Sequence, residues 1–198
     1  MRKLITILIC ISTLAFLSCG DNPGGGTNSN GNDDGNNNGN NGSSKTVTAA
    51  NLNEFFDVLF QEYAVRLTCS QIFNTIDSAQ TRCEGIRSGY FTTTFQTESL
   101  TPFRQHARQR HFNFSVLGRL YLDGTLEYVQ EIDGTNITIT YNGHRNFSGE
   151  FIGRIEYRNL KFRGVPPNRT LLGGNVTVNS LDATNLYFQR LLNVNFNE

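Results

Sequence analysis

Apolar positions change period along this chain. Leu52, Phe55, Phe56, Leu59, Tyr63 and Leu67 recur at three- and four-residue steps, and this stripe predicts an amphipathic helix over about 50–74. Asn51 followed by Glu54 reads as a capping box, with Thr48 as a rival cap. From Gly89 the period falls to two. "YFTTTFQT", "HFNFSVL", "RLYLDGTLEYVQEI", "NITITYNGHRNFSGEF", "FIGRIEYRNLKFRG", "NVTVNSL" and "LYFQRLLNVNF" alternate apolar and polar residues, as half-buried strands do. Asp123-Gly124, Asp133-Gly134 and Asn142-Gly143 read as type I′ hairpin turns. In "FIGRIEYRNLKFRG" the apolar parity switches between Tyr157 and Leu160, which predicts a bulge near Arg158-Asn159.

Tight turns force antiparallel neighbours. The expected fold is therefore mainly β with an N-terminal helix. An antiparallel meander of about eight strands forms a curved sheet or partly closed barrel packed on one α-helix. In the last segment Leu186, Phe188, Leu192, Val194 and Phe196 share a strand face with Arg190. A helix followed by a β meander resembles lipocalins and lipoprotein-carrier half-barrels at the level of fold.

The front of the chain has another texture. Arg2 and Lys3 precede "LITILICISTLAFL", 14 uncharged residues. As a helix this run would span ~21 Å, short of a ~30 Å hydrocarbon core. That is the size of a signal-peptide apolar region. Small Ser18 then precedes Cys19. "FLSC" resembles the lipobox of bacterial lipoproteins, with Phe16 where leucine is commonest. The resemblance covers residues 1–20. It implies that the leader, residues 1–18, is removed and that Cys19 becomes the acylated first residue. Gly20 after it resembles lipoproteins sorted to the outer membrane. Two or three acyl chains hold a protein durably to a bilayer, where one does not.

Residues 19–45 form the lipidated cysteine and a tether. "GDNPGGGTNSNGNDDGNNNGNNGSSK" has almost no apolar side chain to offset backbone ordering, and is expected to stay disordered. As a Gly-rich coil it would span ~28 Å. Residues 46–198 are long enough for a single domain with its own core.

Cysteine and charge narrow the chemistry. If Cys10 leaves with the leader and Cys19 is acylated, as the resemblance implies, Cys69 and Cys83 are the thiols left and are expected to pair in an oxidising compartment. The chain has 17 Lys plus Arg and 17 Asp plus Glu. Three of each lie before residue 46, leaving 14 against 14 in the domain (17 − 3 each). That balance gives no argument for nucleic acid. Arg104, His106, Arg108 and Arg110 share one side of an extended strand and form a candidate anion or polysaccharide patch, a solvated strand edge being the plainer reading. His106, His111 and His144 lack metal-ligand spacing, and no nucleophile elbow or phosphate loop occurs. The expectation is an envelope lipoprotein with a binding or structural role, no enzymatic activity, no metal and no cofactor. Its expected contacts are membrane lipid through Cys19 and an envelope protein, polysaccharide or hydrophobic ligand. A carrier of a lipid or other hydrophobic ligand is the alternative.

Overall fold

The computed structural model describes residues 43–63, 67, 69–75, 77–164 and 168–193. The expected leader, Cys19 and the expected tether up to residue 42 lie outside these residues. The elements are β1 (Lys45–Thr46), α1 (Leu52–Tyr63), β2 (Cys69–Asn74), β3 (Ser78–Glu84), β4 (Ser88–Leu100), β5 (Phe103–Ser115), β6 (Leu120–Asp133), β7 (Asn136–Gly149), β8 (Phe151–Arg163), β9 (Thr170–Val178), β10 (Leu181–Asp182) and α2 (Thr184–Asn193).

From β2 to β10 each strand pairs antiparallel with its neighbour in sequence, and the nine-stranded sheet is not closed. β1 lies off this path and pairs parallel with the start of β8, Lys45 opposite Phe151. β2 and β10 are the end strands of the order.

Strands β4 to β8 are 13 or 14 residues long, and in β6 and β7 two expected turns are strand interior. Gly124 pairs with Arg145, and Gly143 pairs with Leu126. Both glycines have positive φ, and a Cβ at either would lie within 3 Å of a carbonyl oxygen on the neighbouring strand. They mark close backbone approach inside a long hairpin, not its tip. The tip is Gly134, between Asp133 and Asn136. The bulge lies where the parity switch puts it. Asn159 has φ +48 and the β8–β9 register shifts between Arg158 and Lys161.

Alternation gives the sheet a covered face and an open face. Phe91, Phe95, Ala107, Leu122, Leu126, Tyr128, Ile139, Tyr141, Phe147, Ile155, Tyr157, Leu160 and Phe162 are buried on the first. α1 sits against it. Phe55 meets Phe147 at 4.5 Å and Phe151 at 5.7 Å between ring centroids. Such aromatic burial is the main favourable term in holding helix to sheet.

α1 spans Leu52–Tyr63, and the expected helix does not run to 74, since residues 69–74 pair with β3. The capping box does not form. Asn51 Oδ1 accepts the Thr48 amide at 2.7 Å, and Glu54 pairs with Lys45 at 2.6 Å.

Residues 184–193 are helical, which corrects the expected last strand over these positions; Val194 and Phe196 of that expectation lie outside the described residues. Ala183, Tyr187 and Leu191 are buried at four-residue steps. Asp182 Oδ1 accepts the Thr184 amide at 3.0 Å and caps the helix. Tyr187 packs against Phe56, Phe60 and Tyr157, and Arg190 pairs with Asp57 of α1 at 2.9 Å. A stripe at four-residue spacing was present, but the alternating residues around it concealed it.

Candidate functional site

Cys69 and Cys83 are joined, with an S–S distance of 2.08 Å, and face each other in the β2–β3 register. All six residues of β2 are exposed, so the strand buries little that could hold it. The bridge ties this end strand to buried Cys83.

Arg104, His106, Arg108 and Arg110 alternate along the open face of β5. Their neighbours carry carboxylates. Arg104 binds Glu98 at 2.6 Å and Glu131 at 2.7 Å. Arg108 lies 3.1 Å from Glu127, which also stands 3.9 Å from His106. Arg110 lies over the Phe112 ring at 5.6 Å. Across β3 to β6, Arg82, Arg104, Arg108 and Arg110 share the open face with Glu84, Glu98, Asp123, Glu127 and Glu131. Apart from Arg110, which makes no ion pair among the described residues, the cations of this half are paired with its own carboxylates.

The other half differs. Arg154, Arg158, Lys161 and Arg163 are exposed along β8, in register across the bulge. One carboxylate, Glu156, lies among them. Its Oε1 lies 2.8 Å from Arg154 Nε as an ion pair, and its Oε2 accepts Arg158 Nη2 at 2.9 Å. The Arg158 hydrogen bond first, and then the nearby charges of Arg154 and Arg158, hold its carboxyl below the usual range. Among the described residues no carboxylate lies within ion-pair distance of Lys161 or Arg163. Thr138, Thr140, Asn142 and Asn146 of β7 and Thr170, Asn175 and Thr177 of β9 flank the row. Arg154, Glu156, Arg158, Thr177, Asn179 and Ser180 line an open groove of about 450 Å³. Asn179 closes its end, accepting the Arg154 amide at 2.9 Å and donating to the Val47 carbonyl at 3.3 Å. The sequence carried this row as four cations in ten residues, interrupted by the parity switch that hides their common face.

The covered face is not wholly apolar. Gln105 and Gln130 are opposite one another and buried. Gln130 Oε1 and Nε2 and Gln105 Oε1 have no hydrogen-bond partner. Neither nitrogen of buried His111 has one either. Its ring lies 5.3 Å from Phe91 and 5.8 Å from Phe114, and burial lowers its pKa to about 3. Arg145 is buried, reaches the Tyr157 hydroxyl at 3.3 Å and stacks over Tyr63 at 5.2 Å. Arg169 lies 5.0 Å over Phe162, and burial lowers its pKa. Nothing in the spacing of these residues marked them.

Among the described residues no three His, Cys, Asp or Glu side chains converge as metal ligands, and no helix is long and apolar enough to cross a membrane. Compared with protein-family models, curated proteins and solved structures, the chain matches none.

Proposed function

We propose that this chain is a lipid-anchored protein of the bacterial cell envelope, held at the outer membrane by acylated Cys19, with a non-enzymatic binding or structural role. The observation that carries the reading is the Cys69–Cys83 bridge. Disulfides of this kind persist in exported proteins and are rare in the cytosol. The leader and the lipobox-like "FLSC" supply the route out and the point of attachment. Residues 20–45 then act as a leash from which the β domain meets its partner. Labelling cells with a palmitate analogue tests this. The wild-type chain takes up label in the membrane fraction and Cys19→Ala does not; equal label in both refutes the anchor.

A second reading has its own support. Gln105, Gln130 and Arg169 present unpartnered polar atoms among buried tyrosines and phenylalanines. Ligand sites combine an apolar lining with a few such fixed groups. In this reading the sheet curls around α1 and carries an amphiphile at its far end, as a half-barrel carrier would. Native mass spectrometry of the purified chain tests it: a co-purified lipid supports the carrier, and a bare polypeptide mass opposes it.

A further inference from the structure

We propose that the open face of β7, β8 and β9 binds an acidic polysaccharide laid along β8. Four cations, Arg154, Arg158, Lys161 and Arg163, stand in one row on that strand against Glu156. The next carboxylate outward, Asp182, is committed to capping Thr184. At ~3.3 Å per residue the row is ~30 Å long. The β3–β6 half of the same face has no surplus of cations, so the positive field is a stripe and not a plane.

A stripe selects its occupant. A bilayer surface would have to cover both halves and gain charge contact from only one. An extended polyanion meets the cations in sequence, and guanidinium groups bind carboxylates in two-pronged fashion. The flanking threonines and asparagines offer hydroxyl and amide groups on both sides, the partners that sugar hydroxyls need. Single-stranded nucleic acid grooves add aromatic platforms for bases. The open-face positions of β7–β9 hold no Phe, Tyr or Trp. The groove at Arg154, Glu156 and Arg158 gives one sugar unit a place to seat. Lys45 pairs beside the start of β8, so the row begins near the point where the tether leaves the domain.

The inference rests on the envelope placement only for where such a polymer is met, and binding in solution fails or succeeds independently of acylation. The test is affinity electrophoresis of the purified full chain in gels containing polygalacturonate or neutral dextran. Lys161 and Arg163 make no ion pair among the described residues, so Lys161→Gln/Arg163→Gln keeps the paired network of the sheet intact. We expect retardation by polygalacturonate, lost with rising salt and not reproduced by dextran. Affinity falls about tenfold in Lys161→Gln/Arg163→Gln and is unchanged in Arg104→Gln/Arg110→Gln. Equal loss in both variants, or equal retardation by dextran, overturns the proposal. So does preference for anionic over neutral vesicles that depends on Lys161 and Arg163, without retardation by polygalacturonate.

Discussion

Glu62 Oε2 lies 2.7 Å from the amide nitrogen of Val116, 54 residues away in sequence. The same oxygen accepts the Leu117 amide at 2.9 Å, and Oε1 accepts those of Arg119 and Leu120 at 3.1 Å. One buried carboxylate at the end of α1 thus satisfies four backbone donors of the β5–β6 connection. Arg119 closes the arrangement, binding Glu150 at 2.8 Å and Gln61 at 2.6 Å.

Removing that carboxylate strands four buried or half-buried amides. Glu62→Leu is expected to destabilise the fold by about 3–5 kcal/mol, and Glu62→Gln by about 2 kcal/mol, since one amide oxygen still accepts. Urea denaturation measures both. Equal stability of Glu62→Leu and wild type would show that the connection is held by other contacts.

The bridge at Cys69–Cys83 secures a strand with no buried residue. Replacing both cysteines by serine should lower stability by about 3 kcal/mol for a loop of this length. It should also raise amide exchange in β2 well before β5 and β6 respond. Non-reducing peptide mapping checks the link directly, and two alkylatable thiols in the native chain would contradict it.

His111 makes stability fall in acid. Its folded pKa of about 3 lies below the ordinary value of 6.5. Between those values the unfolded chain binds a proton that the native chain does not. Stability is therefore lost as pH drops from 6.5 toward 3, by at most about 1.4 kcal/mol per unit, and the loss is complete below the folded value. His111→Phe suits its ring-lined site and should flatten that part of the profile. An unchanged slope in urea midpoints between about pH 7 and about pH 5 would refute the assignment.

Gly143 separates strand interior from turn. Alanine there would place Cβ 2.4 Å from the Thr125 carbonyl oxygen, with φ +121. At Gly134, a real turn, φ is +58 and nothing lies within 4 Å. Gly143→Ala should cost about 3 kcal/mol and Gly134→Ala about 1 kcal/mol. A reversed order in thermal melts would restore the turn at Asn142-Gly143.

These contrasts show what residues betray locally. The Arg158-Asn159 bulge was legible because a parity switch is a local signal. The pairing of Cys69 with Cys83 followed from counting thiols. Asp123-Gly124 and Asn142-Gly143 misled because glycine serves two needs, a left-handed turn and close backbone approach, and only long-range pairing distinguishes them. The last helix is hidden in the sequence because Leu186, Phe188 and Leu192 alternate while Tyr187 and Leu191 carry the burial. Glu62 stood in plain view at a buried position of the α1 stripe, three residues after Leu59. A carboxylate there signals backbone donors on the facing element. The β8 row is hard to read in the sequence because its charge is ordinary in amount, and it stands out only beside the mostly paired charges of β3 to β6.

The envelope proposal rests on attachment through the sulfur of Cys19. The mass of the N-terminal peptide of the mature protein, purified from the membrane fraction, tests it most directly. The expected peptide begins at Cys19 and is heavier than its sequence by two or three acyl chains. A peptide beginning elsewhere, or beginning at Cys19 with its unmodified mass, would contradict it.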